Sequence, residues 1–470
     1  MFQEKVLDVL IKLCRLNFGA FERAEFKKFF RMGLIFCIMM GVYWTLKPLK
    51  DSIFIQLVGA IYLPYAKTVS VISLLPLVMF YTKLLERTSR ERMLVILPTF
   101  YGIITLLFGV AMFFAQGPEE EIAARLWIPF LLTKGLGYFW YFFVESFGSL
   151  MVALFWAFAT DTTEPPSAKK GFPLVVAIGA VGGIVCPYSI AGLPYRLGLE
   201  TDAFSLLFLG FLTIGIVPLV RYFLRVTPAS MLHSFASHRE DDQELYKKSG
   251  FLEGLKLMVS HRYLLGIFTV NFIYETIVTI FDFNFKVAAG AQYQGVALSH
   301  YLSIYGSSVN VVSLVCLLLG ISNVTRFLGV GVALVVMPLL VTGALVSFLT
   351  VDSLSFLFYL MVGSKALNYA LNGPALKQLY IPTSKNMRFK AQAWIETFGA
   401  RGAKEAASLF NMTLKPLQNA FGELAGRSHY LTLSGVVGFP LLGLWLVTAL
   451  YLGRQFRRAI QEKKQVQDLT

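Results

Sequence analysis

The chain has 470 residues, 56% hydrophobic and 15% charged, with a formal net charge of +14 at pH 7. Apolar segments of about 20 residues recur along nearly its whole length, the pattern of an all-α polytopic membrane protein rather than of a soluble domain with one large core. The longest polar interval, residues 225–262, is shorter than a typical domain and excludes a soluble catalytic module.

Residues 1–31 carry seven Lys/Arg and no small-residue cleavage site before the first span, so they read as a basic cytoplasmic arm rather than a cleaved signal. Val6, Leu7, Leu10, Leu13 and Phe18 lie near one face of a helical wheel. The arm is therefore either an amphipathic surface helix or a basic tail. Cys14, Cys37, Cys186 and Cys316 are far apart with no CxxC spacing. That pattern indicates neither a disulfide framework nor a metal site, and the sequence calls for no cofactor.

Twelve transmembrane helices are predicted, over 32–54, 61–81, 94–115, 127–160, 171–193, 203–224, 263–285, 300–320, 327–350, 354–376, 391–423 and 430–452. The longest loop on the inner side, 225–262, separates an N-terminal six-helix half (32–224) from a C-terminal one (263–452), and 453–470 form a basic tail. This six-plus-six layout is major-facilitator-like, a fold whose halves enclose a site near the bilayer midplane. An even number of spans places both termini on one side. The segments on that side hold 29 Lys/Arg, whereas the opposite loops hold about four, Arg125, Arg196, Lys286 and Arg427. Such a bias assigns both termini to the cytoplasm and accounts for the basic charge without nucleic acid as a partner.

In the first span, Lys47, Lys50 and Asp51 interrupt the apolar run. Placing a charge near the bilayer centre costs at least about 2.5 to 3.5 kcal/mol, so such residues normally face a watery cavity. Lys47 has two readings, an i,i+4 partner of Asp51 or a snorkelling helix end. Lys50 reads as a cavity residue. In the fourth span Lys134, Tyr138, Tyr141 and Glu145 share one helix face. That stripe suits a phosphate, a base and a sugar hydroxyl, or else a buried pair network with the tyrosines as packing. Gly179 and Gly183 in the fifth span make a GxxxG, read as close helix packing.

The seventh span carries a second stripe, Asn271, Glu275, Thr279, Asp282 and Lys286. Asp282 and Lys286 form a possible i,i+4 pair, while Glu275 lies deeper and is favoured by position. The tenth span and its sequel add Lys365, Asn368, Tyr369, Asn372, a Gly373-Pro374 break, Arg388, Lys390, Glu396, Arg401, Lys404 and Glu405. The eleventh span is too polar to face lipid on all sides. No GxxxxGK[ST], GxSxG or HExxH occurs, and the five histidines fall in loops or at span ends, so the chain reads as no enzyme. Transport is the remaining class, with a non-transporting membrane scaffold as the alternative.

Leu49-Lys50-Asp51 is followed by Tyr62-Leu63-Pro64-Tyr65-Ala66-Lys67, Tyr81-Thr82-Lys83-Leu84 and Ser89-Arg90-Glu91. Glu145 with Gly148 precedes Leu154-Phe155-Trp156-Ala157-Phe158-Ala159, and Ser364-Lys365, Pro374 and Tyr380-Ile381-Pro382 extend the pattern. Together these resemble the ATP/ADP translocases, the nucleotide transporters of plastids and intracellular bacteria. The resemblance implies adenine-nucleotide antiport across a membrane, ATP against ADP and phosphate, with Lys50 and Glu145 at the family's substrate site. Its seventh-helix carboxylate maps onto Asp282, four residues before Lys286, against the positional preference for Glu275. Its late basic position maps onto Lys390, with Arg388 beside it.

The chain departs from the family at Tyr369, where many members carry lysine, and at Asn372-Gly373-Pro374 and 390–396. Such losses alter the charge balance of a cavity and hence what it rejects. They open a second reading, exchange or proton-coupled transport of other nucleotides, NAD or S-adenosylmethionine. The oligomeric state is not legible in the sequence.

Overall fold

The computed structural model describes residues 21–114, 130–228, 231, 251–318, 329–351, 353–383, 391–392 and 394–462. The amphipathic reading of residues 6–18 lies outside them, as do Arg388 and Lys390. Every regular element among the described residues is helical. They are α1 (Arg23–Leu57), α2 (Leu63–Arg87), α3 (Arg90–Phe114), α4 (Phe130–Asp161), α5 (Pro165–Cys186), α6 (Ala203–Ile214) and α7 (Ile216–Val226). Then follow α8 (Phe251–Ser260), α9 (Arg262–Gln292), α10 (Gly295–Leu318), α11 (Val330–Thr350) and α12 (Leu354–Leu367). The chain ends with α13 (Gly373–Gln378), α14 (Ala400–Asn411), α15 (Leu414–Phe421) and α16 (Glu423–Glu462).

Nine stretches among the described residues are long and apolar enough to cross a membrane, and they coincide with the predicted spans one to seven, nine and twelve. α10 follows the predicted eighth. Spans ten and eleven are helical but interrupted. Pro374 has no N–H to donate back along the helix, and the backbone widens into a π turn over Asn368–Asn372 before α13 begins. A second π turn, Ile395–Gly399, leads into α14, and α15 starts after Thr413. Apolar side chains such as Met79, Leu107 and Phe211 stay exposed on the helix surfaces, as lipid contact requires.

The chain divides into two compact units. The first contains residues 1–59, 72–242 and 293–310. Within it α1 is buried for most of its length against α4 and α5. Small residues permit that approach: a Cβ on Gly182 would lie 1.9 Å from the Cys37 carbonyl oxygen, and one on Gly179 would meet the Phe36 ring at 2.4 Å. The GxxxG is thus a packing seam. Phe36 stacks on Phe155 of α4 with centroids 4.6 Å apart. α3 and α6 pair in the same way, Gly102 and Gly109 receiving Ile214 and Leu207. Cys37, Cys186 and Cys316 are all unbridged.

The second unit contains residues 60–71, 243–292 and 311–470. α9 is its buried centre, packed on α14 and α16. A buried polar trio links its helices: Tyr430 donates to Asn411 Oδ1 at 2.6 Å, and Asn284 Nδ2 donates to the Tyr430 hydroxyl at 3.3 Å. α11 and α16 touch where Gly331 faces Gly453.

Candidate functional site

Each unit holds a buried cluster of charge among its described residues. In the first, Lys50 near the end of α1 is only 5% exposed, and Pro48 two residues earlier removes one ladder hydrogen bond beside it. The Lys50 ammonium donates to Glu145 Oε1 on α4 and lies 3.7 Å from Asp51. It also sits 4.1 Å from the centroid of the Tyr141 ring, whose face carries partial negative charge. Two carboxylates and a π face therefore surround one cation, which offsets the cost of burying it.

Of the fourth-span stripe, Glu145 and Tyr141 meet Lys50 directly. Tyr138 and Tyr141 both turn edges against Phe54, at 5.3 and 5.4 Å between centroids. Tyr141 is fully buried and so presents no open face for a base. Lys134 lies on α4 three turns before Glu145, half-buried. The Lys47 ammonium lies 4.2 Å from the centroid of the Trp44 ring and 4.8 Å from that of Tyr43.

In the second unit three ammonium groups converge on Asp282. Lys286, one turn along α9, is 2.6 Å away; Lys365 of α12 donates at 3.1 Å; Lys67 near the start of α2 lies at 3.7 Å. Asp282 itself is buried. Opposite charges in a medium of low dielectric attract strongly, and the like charges of three lysines repel one another as strongly. The cluster thus gathers three cations around one buried carboxylate.

Glu275 occupies a separate position on α9 and lies 3.5 Å from Lys404 of α14, whose side chain is half exposed. Asn271 is half-buried one turn before it. Glu405 accepts from the Thr68 hydroxyl at 2.5 Å. Asn372 Nδ2 donates to Asn368 Oδ1 at 2.8 Å across the π turn, while Tyr369 faces outward. The sequence pattern had brought Lys67 and Lys365 forward only as parts of motifs. No local spacing could mark them, because their partner lies on another helix.

The model of a family described as TLC ATP/ADP transporter matches residues 10–456. The chain is 23% identical over 487 residues to "ADP,ATP carrier protein 1" of Rickettsia typhi, covering 94% of this chain and 96% of the relative. It is 25% identical over 492 residues to "ADP,ATP carrier protein 2, chloroplastic" of Arabidopsis thaliana, covering 94% and 77%. Among solved structures, a bacterial homologue of the iron transporter ferroportin superposes with a TM-score of 0.60 at 11% identity, over 91% of this chain and 98% of that one. A D-xylose-proton symporter gives 0.53 at 12% identity, over 91% and 96%. These likenesses show a major-facilitator-like transporter fold.

Proposed function

This chain belongs to the TLC ATP/ADP transporter family, and from that premise we propose that it exchanges ATP for ADP across the membrane it spans, by alternating access. The observation that carries the substrate class is the convergence of Lys67, Lys286 and Lys365 on Asp282. A polyphosphate enters a low-dielectric protein only where cations replace its water, and ammonium–phosphate contacts are charge-assisted. Asp282 holds the three lysines together when no phosphate is bound and competes with phosphate for them afterwards. That competition keeps binding reversible. Within the first unit, Lys50 with Glu145, Tyr138 and Tyr141 is a separate candidate binding cluster, with Lys134 beside it on α4, and in the second unit Glu275 with Lys404, Asn271, Asn368, Tyr369, Asn372, Arg401, Arg388 and Lys390 are further candidates. Phosphate accompanies ADP in the exchange.

The distribution of Lys/Arg supports cytoplasmic termini, and the Rickettsia relatives support a bacterial inner membrane as the location. Tyr369 and Asn372, in place of charged residues, favour one competing substrate class, a less anionic nucleotide or NAD. The deciding experiment is uptake of labelled ATP by purified protein in liposomes loaded with ADP, NAD, S-adenosylmethionine or nothing. Acceleration by internal ADP is expected. Absence of saturable ATP uptake, with strong counter-exchange of NAD or S-adenosylmethionine, would keep the fold and overturn the substrate.

A further inference from the structure

Asp202 precedes α6, the place where an aspartate ordinarily caps the helix. Its side chain makes no capping bond. The residue is 2% exposed, and its Oδ2 instead receives the Ser299 hydroxyl of α10 at 2.6 Å. Oδ1 is buried with no hydrogen-bond partner. Ser299 Oγ is also 2.7 Å from Ser52 Oγ on α1, and Ser52 Oγ is 3.3 Å from the Leu49 carbonyl oxygen. All four residues belong to the first unit.

The chain of oxygens has a direction that depends on one proton. A serine hydroxyl has one proton to give. If Asp202 is ionised, Ser299 must donate to it and Ser52 to Ser299, and the Leu49 carbonyl keeps only the Trp140 Nε1 donor at 3.4 Å among the described side chains. If Asp202 is neutral, its own O–H donates to Ser299, Ser299 to Ser52, and Ser52 to the carbonyl. Donors are satisfied in both arrangements, but only the neutral one buries no charge. With Oδ1 unpartnered and the residue 2% exposed, the neutral form is the one this geometry fits.

The charged and titratable groups on the neighbouring elements do not reverse that balance. Arg196 donates to the carbonyls of Tyr188 and Ser189 and lies over the Tyr188 ring. His300, next to Ser299, stacks on Tyr195 with centroids 4.7 Å apart. Lys50 of α1 is held between Asp51 and Glu145. Glu200 is exposed, Tyr301 and Tyr305 follow His300 on α10, and α3 carries Tyr101 at mid-length with Arg90, Glu91 and Arg92 in its first turn. Among the described residues no cation pairs with Asp202. The α6 dipole favours the anion, against a larger desolvation cost. Burial pushes the carboxyl up to about 7, the Ser299 hydrogen bond acting the other way.

We propose that Asp202, Ser299 and Ser52 form a proton-binding clasp where α6, α10 and α1 meet: protonated, it buries no charge, whereas loss of the proton leaves a buried carboxylate with one unpartnered oxygen and destabilises the packing of the three helices. The ligand is a proton, whatever solute is carried. Ser52 lies two residues from Lys50, on the segment of α1 that bears the first charge cluster.

The test is the unfolding midpoint of the purified full-length protein against pH, for wild type and Asp202→Asn. An asparagine amide donates to Ser299 as the neutral acid does, and it cannot ionise. A carboxyl raised in the folded state contributes stability that is complete at low pH and is lost as pH approaches 7 from below. The wild-type folding constant is expected to fall, relative to Asp202→Asn, by roughly a hundredfold between about pH 5 and about pH 8. Parallel profiles for the two proteins would overturn the clasp. If the asparagine protein does not fold, Ser299→Ala serves instead: without the hydroxyl that favours the anion, the fall moves to higher pH. An unmoved profile would be equally fatal.

Discussion

Lys365 and Asp282 are 83 positions apart in the chain, yet their side chains meet at 3.1 Å, joining α12 to α9. Lys67 and Lys286 reach the same carboxyl group. If a nucleotide's phosphates take over these lysines, Lys365→Ala and Lys67→Ala each lose one charge-assisted contact of roughly 1.5 to 3 kcal/mol. The apparent KM for ATP in proteoliposomes should rise about ten- to a hundredfold. An unchanged KM in a folded protein would assign the lysines to structure alone.

Asp282→Asn probes the other side of that competition. Removing the anion should tighten nucleotide binding and slow its release, so that KM and maximal exchange rate fall together. A rise in KM without a loss of rate would show that Asp282 contacts the substrate rather than its lysines.

Lys50 and Glu145 make the corresponding pair in the first unit. Breaking a buried pair by removing one partner costs about 3 to 5 kcal/mol because the other charge is left uncompensated. Lys50→Ala should insert in the membrane and be almost inactive in exchange. Glu145→Gln should change exchange, or its pH dependence, more than yield. Near-normal exchange by folded Lys50→Ala protein would remove Lys50 from the site.

The α1–α5 seam gives a test independent of transport. A Cβ on Gly182 would lie 1.9 Å from a backbone oxygen, whereas one on Gly402 of α14 meets nothing within 4 Å. Gly182→Ala should therefore destabilise by about 1 to 3 kcal/mol through overpacking, and Gly402→Ala should be neutral or slightly stabilising. Thermal unfolding in detergent separates the two. Equal midpoints would mean that the helices part at no cost.

Competition for labelled ATP uptake reads the phosphate count. With three lysines as ligands, ATP and ADP should compete well above AMP, and AMP above adenosine, each lost contact costing roughly 1.5 to 3 kcal/mol. An even ranking would move recognition away from the phosphates.

What the sequence determined by itself follows from short-range physics. A bilayer demands about 20 apolar residues per span, so hydropathy alone located the helices and placed the break at Gly373-Pro374. Helical spacing put Asp282 and Lys286 on one face, and the glycines of the fifth span announced a close neighbour. Only the tertiary structure decided which charges meet. Position within the span had favoured Glu275, but three lysines from three helices gather at Asp282, and Glu275 takes Lys404. Asp202 was hidden for the same reason: an aspartate before a helix reads as a cap until the fold brings Ser299, 97 positions away, to its carboxyl group. Periodicity records the face a residue occupies on its own helix, whereas the partner across the gap is fixed by how helices distant in sequence pack.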